Sequence, residues 1–197
     1  SLYPANIEVI PDRIEAGTFL MAGALMGKIT LNKVNPEHVD ALLQKLKEVG
    51  ALLETTSNSV TIEPGGLKPV DMKTAVYPGF ATDLQAQWVA IMSLADGSSM
   101  VTDTVYHDRF SHVPELNRFG ANIKVDKNTA FIRGVKELVG APVMSTDIRA
   151  SAALIIAALA AKGQTEVSRV YHIDRGYERI EEKFRNLGAE ISRENFQ

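Results

Sequence analysis

Apolar residues return every three or four positions in three stretches of the chain and fill nearly every position in three others. Over residues 36–49, Val39, Leu42, Leu43, Leu46 and Val49 fall on one face of a helix. Residues 114–119 and 176–187 are read as shorter amphipathic helices, the second striped by Ile180, Phe184 and Leu187. Each ends on a Gly-Ala step, at Gly50-Ala51, Gly120-Ala121 and Gly188-Ala189, and glycine suits the left-handed position that closes a helix. Residues 17–25, 86–94 and 150–161 carry Ala, Leu, Ile and Met on most faces, the pattern of helices buried on nearly all sides. Alternating residues at 28–31, 99–102 and 165–168 predict half-covered strands, and 59–62 and 129–132 predict further strands after the first two Gly-Ala steps.

These elements repeat. An Asp opens each apolar helix (Asp12, Asp83, Asp147), and the distances from it to the closing glycine are 38, 37 and 41 residues. A unit of strand, helix, strand, helix, strand, strand is therefore expected three times, over about residues 7–70, 71–140 and 141–197. The expected fold class is α/β, with the apolar helices inside and the sheets outside.

Composition narrows the function. With 45% hydrophobic and 23% charged residues among 197, the chain can bury a substantial core. Its net charge of -3 gives no basic surface for nucleic acid. The longest apolar run, residues 152–161, is too short for the roughly 20 residues that span a bilayer. No signal-type segment is seen at the start, so a cytoplasmic protein is expected, and Ser1 in place of Met suggests a piece of a longer one. The chain has no cysteine, and its four histidines (His38, His107, His112, His172) lack metal-binding spacing, so no metal site is expected.

Candidate chemistry gathers at the helix starts. Asp is a preferred helix cap, so capping alone could account for Asp12, Asp83 and Asp147. Arginines are disfavoured there by the helix dipole, yet Arg149 lies in a first turn, and Arg109 and Arg175 follow Asp108 and Asp174 near the expected starts of two later helices. Arg13 is a weaker candidate of the same kind. Converging helix ends with guanidinium groups would bind a small polyanion, whereas pairing of Arg109 and Arg175 with their neighbouring aspartates is the plainer alternative. Asp83 follows a Pro-Gly turn close to these arginines, where a carboxylate can accept a hydroxyl proton.

Four motifs, in order, are Asp12-Arg13-Ile14-Glu15-Ala16-Gly17-Thr18-Phe19, Tyr77-Pro78-Gly79-Phe80-Ala81-Thr82-Asp83-Leu84-Gln85-Ala86-Gln87, Thr146-Asp147-Ile148-Arg149-Ala150-Ser151-Ala152 and Tyr171-His172-Ile173-Asp174-Arg175-Gly176-Tyr177-Glu178-Arg179. Together they resemble the UDP-N-acetylglucosamine 1-carboxyvinyltransferases of the enolpyruvyl transferase family. Ala81 stands where that family usually has Pro, and Tyr77 where some members have His. The resemblance implies an inside-out α/β barrel of three units, forming the C-terminal domain of a two-domain enzyme with its site between the domains. It implies transfer of enolpyruvate from phosphoenolpyruvate to UDP-N-acetylglucosamine without a cofactor, the first committed step of peptidoglycan synthesis. In that comparison Asp83 is the general base, Arg149 and Arg175 hold phosphoenolpyruvate, Asp147 lies near the reacting carbons, Val105 lies along the sugar nucleotide, and Arg109 stands at the cleft. The N-terminal partner domain, with its proton donor, is absent from this sequence, so the chain alone is expected to be inactive. A shikimate-phosphate enolpyruvyl transferase and a non-catalytic anion-binding module of the same fold are the alternatives.

Overall fold

The computed structural model describes residues 3–194. The first unit runs α1 (Arg13–Met26), β1 (Ile29–Asn32), a 3-10 turn (Pro36–Val39), α2 (Asp40–Val49), β2 (Leu52–Thr55) and β3 (Ser59–Glu63). Its strands form an antiparallel sheet in the order β1-β3-β2, with Leu31 opposite Val60. The second unit runs β4 (Met72–Lys73), a 3-10 turn (Thr82–Leu84), α3 (Gln85–Met92), β5 (Ser98–Thr102), α4 (Val113–Arg118), β6 (Asn122–Asp126) and β7 (Thr129–Arg133). Here β4 lies parallel to β5, and the order is β4-β5-β7-β6. The third runs β8 (Pro142–Met144), α5 (Ile148–Ala160), β9 (Glu166–Ser168), a 3-10 turn (Val170–Arg175) and α6 (Ile180–Asn186), with β8 parallel to β9.

The middle unit holds every element of the expected pattern. The sheet β1-β3-β2 has the connectivity of β5-β7-β6, and the pair β8-β9 that of β4-β5. Residues 3–12 are exposed and form no strand, and neither do residues 189–194 after the third Gly-Ala step. The strands that the repeat predicts after the third Gly-Ala step are therefore not realised among the described residues. A strand needs a neighbour to take its backbone hydrogen bonds, and no described strand pairs with these segments.

The three apolar helices α1, α3 and α5 pack against one another, giving a mixed α/β fold with helices at its core. Leu20, Met21, Trp88, Val89, Ile91, Met92, Leu154 and Ile156 are fully buried there, each such large apolar side chain contributing about 1.5–3 kcal/mol. Among the buried polar groups, one from each unit meets in this core. Thr18 Oγ1 donates to the Ile14 carbonyl (3.0 Å), so the Tyr177 hydroxyl must donate to Thr18 Oγ1 (2.8 Å). Gln87 Nε2 donates to Thr18 Oγ1 and to the Asp83 carbonyl, both at 3.1 Å. Burial pushes the Tyr177 phenol up, which keeps it a neutral donor.

The three Gly-Ala steps share one geometry. Gly50, Gly120 and Gly188 have φ of 103°, 89° and 96°, and each following alanine N–H bonds a carbonyl five residues back, at Leu46, Leu116 and Phe184. Only glycine enters this left-handed position without steric cost, so the repeated signal in the sequence reports a repeated helix stop. Gly134, after β7, is needed for space: a methyl built there would overlap the Ala95 carbonyl oxygen. Gly134→Ala is expected to destabilise the fold by roughly 1–3 kcal/mol, read as a lower urea midpoint with an unchanged slope.

Candidate active site

The loop before α3 and the loop after β5 bring the polar residues together. Tyr77-Pro78-Gly79 turns the chain, with Ala75 N–H bonded to the Phe80 carbonyl (2.9 Å), and delivers Thr82 and Asp83 to the start of α3. Asp83 makes no capping bond to the helix that follows. Its carboxylate instead accepts from Arg109 Nη1 at Oδ1 (2.8 Å) and from Arg149 Nη2 at Oδ2 (3.1 Å). One carboxylate thus bridges two guanidinium groups from different units. Burial pushes the Asp83 carboxyl up, but the charges and hydrogen bonds of Arg149 and then Arg109 outweigh it and hold the group below the ordinary carboxylate range.

Asp147 behaves differently. Its Oδ1 accepts from the backbone N–H of Arg149 (2.7 Å) and Ala150 (2.9 Å), capping α5, while Oδ2 accepts from Ser111 Oγ (3.0 Å). Burial raises this carboxyl, and the two backbone N–H groups and Ser111 more than reverse the effect. Asp12 likewise caps α1, accepting from Ile14 N (2.7 Å) and Glu15 N (3.2 Å). The capping account therefore holds for Asp12 and Asp147 and fails for Asp83.

Behind this cluster His112 is fully buried, and burial lowers its pKa to about 4, with Asp147 opposing and Arg109 adding to the shift. Its folded pKa lies below its ordinary value of 6.5, so the unfolded chain binds the proton first as pH falls. Stability is expected to be constant above about pH 6.5, to fall between pH 6.5 and 4 by at most roughly 3 kcal/mol, and to lose that slope in His112→Gln. Urea unfolding at pH 7.5 and 4.5 measures it. Asp83 and Asp147, both lowered, give up their contributions only at more acid pH, which separates the two effects.

The geometry can be set beside known proteins. Residues 1–184 match the family model described as EPSP synthase (3-phosphoshikimate 1-carboxyvinyltransferase). The chain belongs to the EPSP synthase family. A relative from Chlorobium chlorochromatii (strain CaD3), named UDP-N-acetylglucosamine 1-carboxyvinyltransferase, is 53% identical over all of this chain and 47% of its own length. The crystal structure of the enolpyruvyl transferase NikO from Streptomyces tendae superposes with a TM-score of 0.84 at 28% identity, covering 93% of this chain and 44% of that one. An EPSP synthase structure from Acinetobacter baumannii shares the fold, with a TM-score of 0.64 at 20% identity over 82% of this chain and 39% of its own. The chain thus spans about half the length of the curated relatives it matches.

Within this EPSP synthase family fold, several expected site residues sit differently than the sequence suggested. Arg109 lies four residues before α4, and Arg175 ends a 3-10 turn five residues before α6. The predicted helix from residue 176 does not start until Ile180, because Arg179 adopts φ 45° and interrupts the winding. Neither arginine therefore stands in a helix N-terminal turn, and at α1 and α5 the first backbone N–H groups are occupied by Asp12 and Asp147. Converging free helix ends are not the basis of the site; converging guanidinium groups are. The neighbour-pairing alternative also fails, since Arg109 pairs with Asp83, and Asp174 is held at 2.7 and 3.0 Å by Arg193.

Arg175 is exposed and, among the described residues, has no ion-pair partner. Its neighbour Gly176 comes so close to α5 that a methyl there would lie 3.8 Å from Arg149 Nη1, which puts the backbone beside Arg175 at the edge of the cluster. Arg13 lies over the Tyr77 ring, 5.3 Å from its centroid, and Arg109 over the Tyr106 ring at 5.1 Å. Val105 is 38% exposed in the same loop. Thr82, Asp103, Ser111 and Tyr177 were not singled out from the sequence. Thr82 and Tyr177 lie inside the motifs, while Asp103 and Ser111 carry no signal beyond nearness to Arg109; Ser111 and Tyr177 find partners in other units, and Thr82 and Asp103 bond each other within the second. An open cavity of about 490 Å³ lies away from all of these, on the exposed face of the β4-β5-β7-β6 sheet, lined by Met100, Lys124, Phe131 and Arg133.

Proposed function

We propose that this chain is the C-terminal domain of a UDP-N-acetylglucosamine 1-carboxyvinyltransferase, an inside-out barrel of three units whose open cluster faces an N-terminal domain. The bridging of Asp83 between Arg109 and Arg149, 2.8 and 3.1 Å away, is the observation that carries the reading. A carboxylate locked by two cations is a weak base. Phosphoenolpyruvate brings a carboxylate and a phosphate, and both compete for the guanidinium groups of Arg149 and Arg175. As its arginines turn to the ligand, Asp83 regains basicity and takes the proton of the sugar 3-hydroxyl.

The hydroxyl oxygen then bonds to C2 of phosphoenolpyruvate while C3 gains a proton from a donor in the other domain. The tetrahedral intermediate carries the full charge of the phosphate and carboxylate, which Arg149 and Arg175 stabilise. Loss of a C3 proton and cleavage of the C2–O bond to phosphate restore the vinyl ether. Asp147, fixed as a helix cap beside Arg149, lies near the reacting carbons in this reading. Val105, Arg109 and Arg13 line the sugar-nucleotide side. The reaction begins peptidoglycan synthesis in the cytoplasm, and among the described residues no helix is long and apolar enough to cross a membrane.

The family also includes enzymes named for 3-phosphoshikimate. The 53% identity to a UDP-N-acetylglucosamine enzyme, against 20% to an EPSP synthase, supports the sugar nucleotide as acceptor. Phosphate release by the full-length protein, given phosphoenolpyruvate and either acceptor, tests the choice. Release with UDP-N-acetylglucosamine alone is expected; release only with shikimate 3-phosphate would reverse the assignment, and release with neither would favour a binding module.

A further inference from the structure

Asp103 lies at the end of β5, fully buried, and forms no ion pair among the described residues. Its Oδ1 accepts from Thr74 Oγ1 (2.8 Å) and from the backbone N–H of Val105 (2.9 Å) and Tyr106 (2.8 Å). Its Oδ2 accepts from Thr82 Oγ1 at 2.6 Å. Around it the scaffold is tied down: Asp103 N–H bonds the Asn128 carbonyl, Asn128 Nδ2 bonds the Asp103 carbonyl, and Thr104 N–H bonds Thr74 Oγ1, all at 2.9 Å. The carboxylate therefore joins the end of β4 to the Thr82–Asp83 turn and to the start of the Val105–Arg109 loop, while the Asp103 main chain is tied to the β6–β7 turn through Asn128.

The direction of these bonds is fixed by chemistry. Thr82 Oγ1 donates to Asp103 Oδ2, so its single hydroxyl hydrogen is spent there. Its oxygen then presents only lone pairs to the site, and Arg109 Nη1 donates to it at 3.2 Å. The same Nη1 donates its other hydrogen to Asp83 Oδ1 at 2.8 Å. Both hydrogens of that nitrogen are committed, which fixes the rotation of the guanidinium against Asp83.

We propose that Asp103 is a positioning residue that, by orienting the Thr82 hydroxyl, holds Arg109 in register with Asp83. Its bearing on turnover rests on the enolpyruvyl-transfer reading above; its bearing on Asp83 does not. A side chain that merely filled space would affect folding and leave the Arg109–Asp83 pair alone.

The test uses the full-length protein carrying this chain, with Asp103→Asn, Thr82→Val, the double variant, and Thr82→Ser as the conservative replacement. In Asp103→Asn the amide NH2 meets Thr82 Oγ1 as a donor, and in Thr82→Val the hydroxyl is gone. Carbon-13 titration of the Asp83 carboxyl is expected to move up in both, because Arg109 no longer holds it, and to stay unchanged in Thr82→Ser. The specificity constant kcat/KM is expected to fall roughly 10- to 100-fold in either single variant, because the loss of register between Arg109 and Asp83 outweighs the gain in Asp83 basicity, with the double variant no worse than the worse single one. An unmoved Asp83 titration in folded Thr82→Val, or additive losses in the double variant, would overturn the proposal. A wild-type protein without enolpyruvyl transfer would remove the functional reading, and the titration would still decide the role of Asp103.

Discussion

Asp83→Asn is expected to lower kcat by about 100- to 10,000-fold, the range for loss of a general base, while UDP-N-acetylglucosamine still binds within about tenfold of wild type. The expectation follows from what Asp83 does not do. It supplies no capping bond, so its replacement leaves α3 without a lost backbone partner. Its packing is retained by an isosteric amide, but the amide has one acceptor oxygen for two guanidinium donors and no proton affinity to offer. Steady-state kinetics and equilibrium binding on the full-length protein measure the two effects separately. Unchanged turnover would reduce Asp83 to a structural anchor for Arg109 and Arg149.

Arg149→Lys is expected to weaken use of phosphoenolpyruvate by roughly 10- to 100-fold in kcat/KM, with a smaller change for the sugar nucleotide. Only 17% of the Arg149 side chain is exposed, and its Nε is buried without a partner among the described residues. The Nη2 group is engaged with Asp83, so the planar fork has further donors to turn on an anion. Lysine keeps the charge but presents a single point and cannot span two oxygens. A surface ion pair, by contrast, is worth about 0–1 kcal/mol and tolerates Lys. Wild-type phosphoenolpyruvate kinetics in Arg149→Lys would place the residue in that class.

Much of the fold was legible because local chemistry and tertiary structure agree. The glycines at 50, 120 and 188 stop helices in the way their sequence context implies, and the all-apolar helices are the buried ones. The third helix start was misread because the Ile180, Phe184, Leu187 stripe extends in pattern back to Gly176, whereas Arg179 leaves the helical region of the backbone. In the site, the sequence marked Asp83, Arg109 and Arg149 but gave no means of telling a capping Asp from a bridging one. That difference depends on contacts 26 and 66 residues apart. Asp103 stayed hidden for the same reason: it reads as an ordinary turn residue until Thr74 and Thr82 are brought to it.

The most direct test of the account is the product made by the full-length protein from phosphoenolpyruvate and UDP-N-acetylglucosamine, followed by mass spectrometry and proton NMR. The expected product carries a vinyl ether on the sugar 3-oxygen, formed with one phosphate released per sugar nucleotide consumed. Unchanged UDP-N-acetylglucosamine after prolonged incubation, or an enolpyruvyl group appearing only when shikimate 3-phosphate is supplied, would contradict it.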